Sequence, residues 1–421
     1  MSSETSPSSG QYLSPRALRG LAAYQYKSGG YSLLDRLHNP VWDGLVGLMP
    51  MWLAPNLITL MGTLCVVAAY LVTMLHQPLF TGDSPRWVYV WSGVAVVLYV
   101  NLDCMDGKQA RRTRSSSPLG QLFDHGCDAL SLPLLMATVR CALNMGWGWG
   151  AVVMEMAVMI PWLLAHWEEY HTGIMLYGNG WFGVLEGNYA LVVINFISAA
   201  YGPSIWSTPL PFTMPSALAG LQCVRDVFFV VVAVMAGISC LGQLQRVAQF
   251  PTSSLSKQEQ GHKQLGYGAA AMHLAYLALL TGLGSTWMAS PVHDLMDNVR
   301  TLHANVGGGL GGLGGGAWAT WLQAGVIRLP QATFGFVYAT VALQLIVAHM
   351  AKEPFVPFSW ALAVLALGSG NAVLRLVDPL PLNWLLLATT LVAFTHYATS
   401  VIDQICKYLG IKCLTISPKV Q

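Results

Sequence analysis

The residues best suited to chemistry are four aspartates in a polar stretch of an otherwise strongly apolar chain: Asp103, Asp106, Asp124 and Asp128. Asp103 and Asp106 are three residues apart and Asp124 and Asp128 are four apart, so each pair lies on one face of a helix. Two such helices can direct four carboxylates at one point. A divalent cation compensates such a group, and hard oxygen ligands suit Mg²⁺ or Mn²⁺. The spacing therefore predicts a metal site that binds a phosphate group.

The elements that must position these acids are membrane-spanning helices. Of the 421 residues, 54% are hydrophobic and 10% are charged, whereas about a quarter of the residues of soluble domains are charged. Long apolar runs predict ten spans, at 54–75, 87–103, 119–140, 149–166, 184–202, 226–243, 266–286, 331–350, 356–375 and 383–403. Backbone groups in lipid must be satisfied within each segment, so we predict an all-α polytopic membrane protein.

The distribution of basic residues indicates the orientation of the chain. Lys and Arg cluster before the first predicted span and after the second, sixth and tenth. Because such residues accumulate in cytoplasmic loops, both termini and the aspartates are predicted to face the cytosol. The net charge is only +2, and no nucleic-acid partner is expected.

The chain divides into four predicted regions. Residues 1–53 form a tail and an amphipathic helix that either lies along the membrane surface or packs on the bundle. Residues 54–243 form a six-helix catalytic core. Residues 244–405 form a four-helix bundle for packing, homodimer formation or a lipid path, and 406–421 form a cytosolic tail. A low-complexity, glycine-rich stretch at 307–316 is predicted to be a flexible loop. It is not a phosphate loop, because it lacks the Lys-Ser/Thr ending.

The pattern D-x2-D-G-x2-A-R-x8-G-x3-D-x3-D resembles the signature of the CDP-alcohol phosphotransferase family at every fixed position. The segments Asp-His-Gly-Cys-Asp and Ala54-Pro55-Asn56, and the length, look like its eukaryotic choline/ethanolamine phosphotransferase branch. The resemblance implies transfer of phosphoethanolamine or phosphocholine from CDP-ethanolamine or CDP-choline to diacylglycerol, with release of CMP. It also implies a membrane of the endoplasmic reticulum or Golgi, with contact to membrane lipids.

The metal and substrate contacts are predicted around the signature. The four aspartates are expected to hold two divalent cations that neutralise the diphosphate. Arg112 and Arg114 are better explained as a topology signal or as lipid-headgroup contacts. Small residues at the site could admit the nucleotide, although they also serve close helix packing. The predicted substrate-binding residues are Asn56, Gly107, Lys108, Ala110, Arg111, Gly120 and Gln121.

A hydroxyl nucleophile needs a base, and His125 is the first candidate. An imidazole accepts a proton near neutral pH, whereas a metal-bound aspartate has its lone pairs engaged. The resemblance leaves Asp128 as the alternative base, and His125 could instead only orient an aspartate. Where many relatives have Glu, this chain has Gln121. Glu186, at the cytosolic start of the fifth span, is predicted to replace it, unless it is a solvated acid at a helix end.

Three further possibilities remain open from the sequence. The stretch His166-Trp-Glu-Glu-Tyr-His-Thr-Gly173 resembles the same branch and could face a substrate ammonium, but its order excludes an HExxH zinc motif. Another acceptor, inositol or glycerophosphate, is the alternative within the family. An ion-coupled transporter is the alternative outside it, and it would need matching acids in the last four spans, which lack them.

Overall fold

The computed structural model describes residues 11–176, 178, 180–211, 221–251, 266–290 and 321–416. The predicted glycine-rich loop at 307–316 lies outside these residues. The described chain is helical, and its named strands are one parallel pair, β1 (Ser28–Gly29) and β2 (Met175–Leu176). The predicted all-α class is therefore confirmed.

The described part of the chain contains twelve named α-helices. In chain order they are α1 Pro15–Ala22, α2 Leu33–Leu48, α3 Pro55–His76, α4 Arg86–Arg112, α5 Pro118–Ala142, α6 Trp149–Thr172, α7 Val184–Tyr201, α8 Val224–Gln249, α9 Tyr267–Ala289, α10 Gly325–Ala351, α11 Ser359–Leu374 and α12 Pro379–Leu409. A short 3-10 helix, Pro203–Ser207, follows α7.

Each of the ten predicted spans coincides with one of the helices from α3 to α12. Eight of these helices are long and apolar enough to cross a membrane. The other two are α5, which carries Asp124, His125, Asp128 and Arg140, and α11, which has 16 residues. The protein is thus an integral membrane protein, and α5 is less apolar because it carries half of the predicted metal site.

The turn between α4 and α5 brings the two aspartate pairs together. Ser117 caps α5 by accepting a hydrogen bond from the Gly120 N–H at 3.1 Å, and Pro118 occupies the first helical position, where its missing donor costs nothing. Only five residues, 113–117, separate the two helices. Two helices joined by such a short turn run antiparallel, so the end of α4 lies beside the start of α5.

Helix α10 lies at the centre of the bundle. Nearly all of its residues are buried, and it packs against α5, α6 and α12. At the contact with α5, a Cβ on Gly335 would lie 3.1 Å from Pro133 Cβ, so a glycine permits this close approach. The predicted boundary at 243/244 stays a prediction, but the helices on both of its sides contribute to one hydrophobic core.

The predicted amphipathic segment forms two helices, α1 and α2. One face of α2 packs on the bundle through Trp42, whose Nε1 donates to Asn101 Oδ1 at 2.8 Å. The opposite face exposes a row of apolar side chains at Leu37, Val41, Leu45 and Leu48. Such a row in water would be costly, so it fits a helix lying at the membrane surface. Helix α2 therefore packs on the bundle with one face, and contact of its other face with the membrane surface stays a prediction.

Candidate active site

Three of the four predicted metal ligands converge between the second half of α4 and the first half of α5. One carboxylate oxygen from each of Asp103, Asp124 and Asp128 lies within 4.8 Å of the other two. Asp103 Oδ1 and Asp124 Oδ1 are buried and accept no hydrogen bond from the described residues. Buried carboxylate oxygens without donors are costly unless a cation satisfies them. The donor set is all oxygen, which suits a hard divalent metal.

Asp106 lies beside this group and is held by a different contact. The Thr59 hydroxyl of α3 donates a hydrogen bond to Asp106 Oδ2, and both side chains are buried. The fourth acid is thereby fixed between α3 and α4 at the edge of the three-carboxylate group. On the other side, the Tyr99 hydroxyl donates to Asp128 Oδ1 at 2.5 Å.

The sequence analysis did not identify Thr59 or Tyr99. Tyr99 precedes Asp103 by four residues, so helical periodicity alone would have placed it on the same face. Thr59 follows Asn56 by three residues on α3, but its contact with Asp106 depends on how α3 packs against α4.

The basic residues near the end of α4 have different partners. Lys108 Nζ contacts Asn39 and also Asp43 Oδ1, the latter at 2.6 Å, so it joins α4 to α2. Arg112 donates to the Met49 carbonyl at 2.6 Å and to the Gly47 carbonyl at 3.0 Å, at the end of α2. Arg111 is exposed, and its Nη1 lies 3.6 Å from where a Gly107 Cβ would stand, on the same helix as Asp106. Among these cations, Arg111 is the one placed over Gly107 and available to a ligand.

Asn56 and Gly120 meet where α3 and α5 begin. A Cβ on Gly120 would lie 3.6 Å from Asn56 Oδ1. Asn56 Nδ2 donates to the Cys413 carbonyl at 2.9 Å, so the C-terminal segment reaches this end of the bundle. Ala110 serves the turn into α5, because its carbonyl accepts the Ser115 N–H at 2.9 Å. The structure thus brings Asn56 and Gly120 together, and their role in substrate binding stays a prediction.

His125 is buried beside the carboxylates. Its Nε2 lies 3.9 Å from Asp124 Oδ2, and its ring centroid lies 5.1 Å from that of His166 on α6. His125, His166 and Glu169 each place one potential ligand atom within 4.8 Å of the others. The imidazole therefore stands between an oxygen site on one side and a mixed nitrogen and oxygen cluster on the other.

The carboxylate beside His125 is Glu169, whereas the sequence analysis expected Glu186. Glu186 Oε1 accepts the Leu34 N–H at 2.9 Å and Oε2 accepts the Gly183 N–H at 2.8 Å. These bonds cap α7 and attach the start of α2, so both oxygens of Glu186 have structural partners. Both acids lie near the predicted cytosolic ends of spans, and the sequence could not distinguish them by topology alone.

Gln121 reaches Glu169 through a tyrosine. Its Nε2 donates to the Tyr24 hydroxyl at 3.2 Å, and that hydroxyl donates to Glu169 Oε1 at 3.3 Å. Burial, followed by the charge of Glu169, raises the pKa of Tyr24 above its ordinary value. The phenol therefore stays protonated and remains a donor. Gln121 is thereby connected to a carboxylate supplied from α6.

The aromatic residues of the His166–Gly173 stretch are packed inside the bundle. Trp167 and Tyr170 are buried, and the Tyr170 hydroxyl donates to the Glu353 carbonyl at 3.2 Å. His171 Nε2 lies 3.4 Å from His273 Nδ1. These contacts bind α6 to α9 and to the segment after α10, so the aromatic side chains serve packing in this structure.

Three carboxylates beside a buried imidazole in a polytopic helical bundle form a site of the kind that suits a membrane-embedded metal-dependent enzyme acting on phosphate compounds. Residues 52–181 match the family described as CDP-alcohol phosphatidyltransferase. This match includes the four aspartates, the basic residues of α4 and His125. It ends before Glu186.

Individual relatives agree with this match. The chain is 30% identical over 435 residues to choline/ethanolaminephosphotransferase 1 of Arabidopsis thaliana, covering 97% of this chain and 99% of the relative. It is 36% identical over 234 residues to cholinephosphotransferase 1 of Gallus gallus, covering 54% and 66%. It is 29% identical to the uncharacterized CDP-alcohol phosphatidyltransferase class-I family protein 3 of Dictyostelium discoideum, covering 97% and 99%. The chain belongs to the CDP-alcohol phosphatidyltransferase family and is a transferase. The predicted family is confirmed.

Proposed function

We propose that this enzyme transfers phosphoethanolamine or phosphocholine from CDP-ethanolamine or CDP-choline to diacylglycerol and releases CMP. The observation that carries the proposal is the convergence of Asp103, Asp124 and Asp128 beside the buried imidazole of His125. The names of the Arabidopsis thaliana and Gallus gallus relatives indicate the headgroups. The site lies at the ends of helices, where a water-soluble nucleotide can meet a lipid hydroxyl.

The carboxylates are the residues that would hold divalent cations. Asp103, Asp124 and Asp128 suit one ion, and Asp106, fixed by Thr59, is placed to share a second. We assign Mg²⁺ or Mn²⁺ because the donors are hard oxygens. When bound, these ions would neutralise the charge of the diphosphate and stabilise the leaving phosphate oxygen. Arg111 adds a cation for the same oxygens.

His125 is the proposed general base. The diacylglycerol hydroxyl oxygen forms a bond to the β-phosphorus, and the bond from that phosphorus to the CMP oxygen breaks. The hydroxyl proton passes to His125. Asp128 is the weaker candidate because one of its oxygens already accepts the Tyr99 hydroxyl and its carboxylate belongs to the cation set. Glu169 and His166 stand on the far side of the imidazole and would fix its orientation.

Asn56, Gly107, Gly120 and Gln121 are the proposed contacts of the nucleotide or the entering lipid. Asn56 and Gly120 face each other at the start of α3 and α5, and Gly107 leaves room beneath Arg111. Ala110 lies at the turn, one helical turn from Gly107. Lys108 holds α2 and would act indirectly.

We place the site and both termini in the cytosol, in a membrane of the endoplasmic reticulum or Golgi. Two contacts support a common end for the site and the terminal segments: Asn56 Nδ2 donates to the Cys413 carbonyl, and the Leu13 N–H donates to Gln404 Oε1 at 3.0 Å. The basic clusters of the sequence lie on the same side. Formation of a homodimer stays a prediction.

The test is donor-dependent product formation by the purified protein. The full chain in detergent micelles is given diacylglycerol and Mg²⁺, with CDP-ethanolamine and CDP-choline supplied separately. CMP and the new phospholipid are measured beside an Asp128→Ala variant. Product from at least one donor, lost in the variant, is expected. Absence of product from both donors, with turnover of a CDP-diacylglycerol and inositol or glycerophosphate pair, would replace this assignment by another member of the family.

A further inference from the structure

A second cluster of metal-ligating side chains lies behind the carboxylates. It contains His125 from α5 with His166 and Glu169 from α6, and one ligand atom of each lies within 4.8 Å of the others. All three side chains are buried, each with 2% exposure. His349 from α10 adjoins the cluster, with its Nε2 3.5 Å from Glu169 Oε1. His349 therefore contacts the cluster through Glu169.

The chemistry of this cluster differs from that of the aspartates. Two imidazoles and one carboxylate form a three-ligand set that zinc uses with a fourth open position. Imidazole favours zinc and its neighbours in the transition series, whereas carboxylates alone favour Mg²⁺ or Mn²⁺. The sequence excludes an HExxH motif, but His166 and Glu169 lie three residues apart on one face of α6, and the packing of α5 adds His125.

An independent observation points to a missing partner at this cluster. Neither ring nitrogen of buried His166 makes a hydrogen bond to the described residues, and Nδ1 lies 3.6 Å from Glu169 Oε2. An imidazole buried in this way has lost its water partners, and at Nε2 no described residue replaces them. Around it, Tyr24 donates to Glu169 and Gln121 donates to Tyr24. Such outer contacts are the kind that orient the ligands of a metal.

We propose that His125, His166 and Glu169 bind a transition-metal ion of the zinc class, and that this ion inhibits the enzyme. The site is separate from the hard-cation site at Asp103, Asp124 and Asp128. Inhibition follows because a metal on His125 occupies the imidazole lone pair that accepts the substrate proton. The inhibitory part rests on the proposed function, whereas the binding part does not.

The first test is metal binding without catalysis. The purified full chain is dialysed against Zn²⁺ in excess Mg²⁺, and bound zinc is counted per chain for the unmodified protein, His166→Ala and His396→Ala. His396 is an exposed histidine outside the cluster and gives the matched control. We expect about one zinc ion per chain in the unmodified protein and in His396→Ala, and affinity reduced at least about tenfold in His166→Ala.

Glu169→Gln provides a second variant if His166→Ala does not fold. It changes a ligand while nearly preserving shape, and zinc affinity should fall in the same direction. Co²⁺ replaces Zn²⁺ in a parallel titration, and a tetrahedral absorption spectrum should appear only when the cluster is intact. Equal zinc binding by the unmodified protein and both cluster variants, or its absence from all of them, would overturn the site.

The second test is inhibition at saturating Mg²⁺. Zn²⁺ should suppress CMP release by the unmodified protein and by His396→Ala over the concentration range in which it binds. His166→Ala should require at least about tenfold more Zn²⁺. Zinc that binds without suppressing CMP release would overturn the inhibitory part and contradict the role of His125 as base. Failure of zinc to bind would leave the proposed transferase function untouched.

Discussion

The Tyr99 hydroxyl donates a 2.5 Å hydrogen bond to Asp128 Oδ1, which joins the middle of α4 to the first half of α5. The bond fixes the rotamer of one proposed metal ligand from outside the ligand set. Removing an outer contact of this kind typically costs about 10-fold to 100-fold in metal affinity or activity.

Replacing Tyr99 by Phe should therefore weaken the binding of Mg²⁺ at the aspartates. We expect Tyr99→Phe to raise the Mg²⁺ concentration for half-maximal CMP release by about tenfold, with recovery of most activity at high Mg²⁺. Tyr89→Phe is the matched control, because Tyr89 lies on the same helix but its hydroxyl contacts Gln77 and the Ser84 N–H. An unchanged Mg²⁺ dependence in Tyr99→Phe would contradict the proposed position of the metal.

Removal of the proposed base, His125, should lower the catalytic rate without weakening the binding of Mg²⁺. His125→Gln is expected to lower kcat by about 100-fold to 10,000-fold, because positioned proton transfer contributes that much. Mg²⁺ binding, followed as protection against thermal unfolding, should persist because the four aspartates are unchanged. Asp128→Asn should lose both activity and protection. Near-normal kcat in His125→Gln would return the role of base to Asp128.

One pair of substitutions distinguishes the roles of Glu169 and Glu186. Glu169→Gln should lower kcat by about tenfold or more, since Glu169 lies with His125 and would hold the imidazole in orientation. Glu186→Gln should instead lower the free energy of unfolding by about 1 kcal/mol, because it weakens the bonds to Leu34 and Gly183. Thermal unfolding and kcat are measured for both. If Glu186→Gln left stability unchanged and lowered kcat as His125→Gln does, the sequence-based assignment of Glu186 to catalysis would stand.

Lys108 can be tested as a structural or a substrate-binding residue. If it holds α2 through Asp43, Lys108→Ala and Asp43→Asn should have similar effects, with a coupling energy of about 0.2 to 1 kcal/mol in a double-mutant cycle. The KM for the CDP-alcohol should be similar in Lys108→Ala and Asp43→Asn. A KM that rises only in Lys108→Ala would show that the ammonium contacts the diphosphate during catalysis.

Local pattern predicted the helices and the aspartate pairs because both depend on periodicity along a single segment. The ten apolar runs became helices, and the short turn between α4 and α5 explains why spacing alone located the carboxylates. The partners that depend on packing between distant segments were not predictable. Thr59 meets Asp106 through the contact of α3 with α4, and Glu169 meets His125 through the contact of α6 with α5. Likewise, the role of Lys108 follows from where α2 lies.

The most direct measurement of the central claim is the stoichiometry of products with and without the lipid acceptor. Purified protein, Mg²⁺ and a headgroup-labelled CDP-alcohol are incubated with diacylglycerol, with no acceptor, or with diacylglycerol and the Asp124→Asn variant. We predict equal molar amounts of CMP and labelled phospholipid that depend on diacylglycerol and disappear in the variant. CMP release that is independent of diacylglycerol, or product formation that survives Asp124→Asn, would contradict transfer to a lipid hydroxyl at the aspartate site.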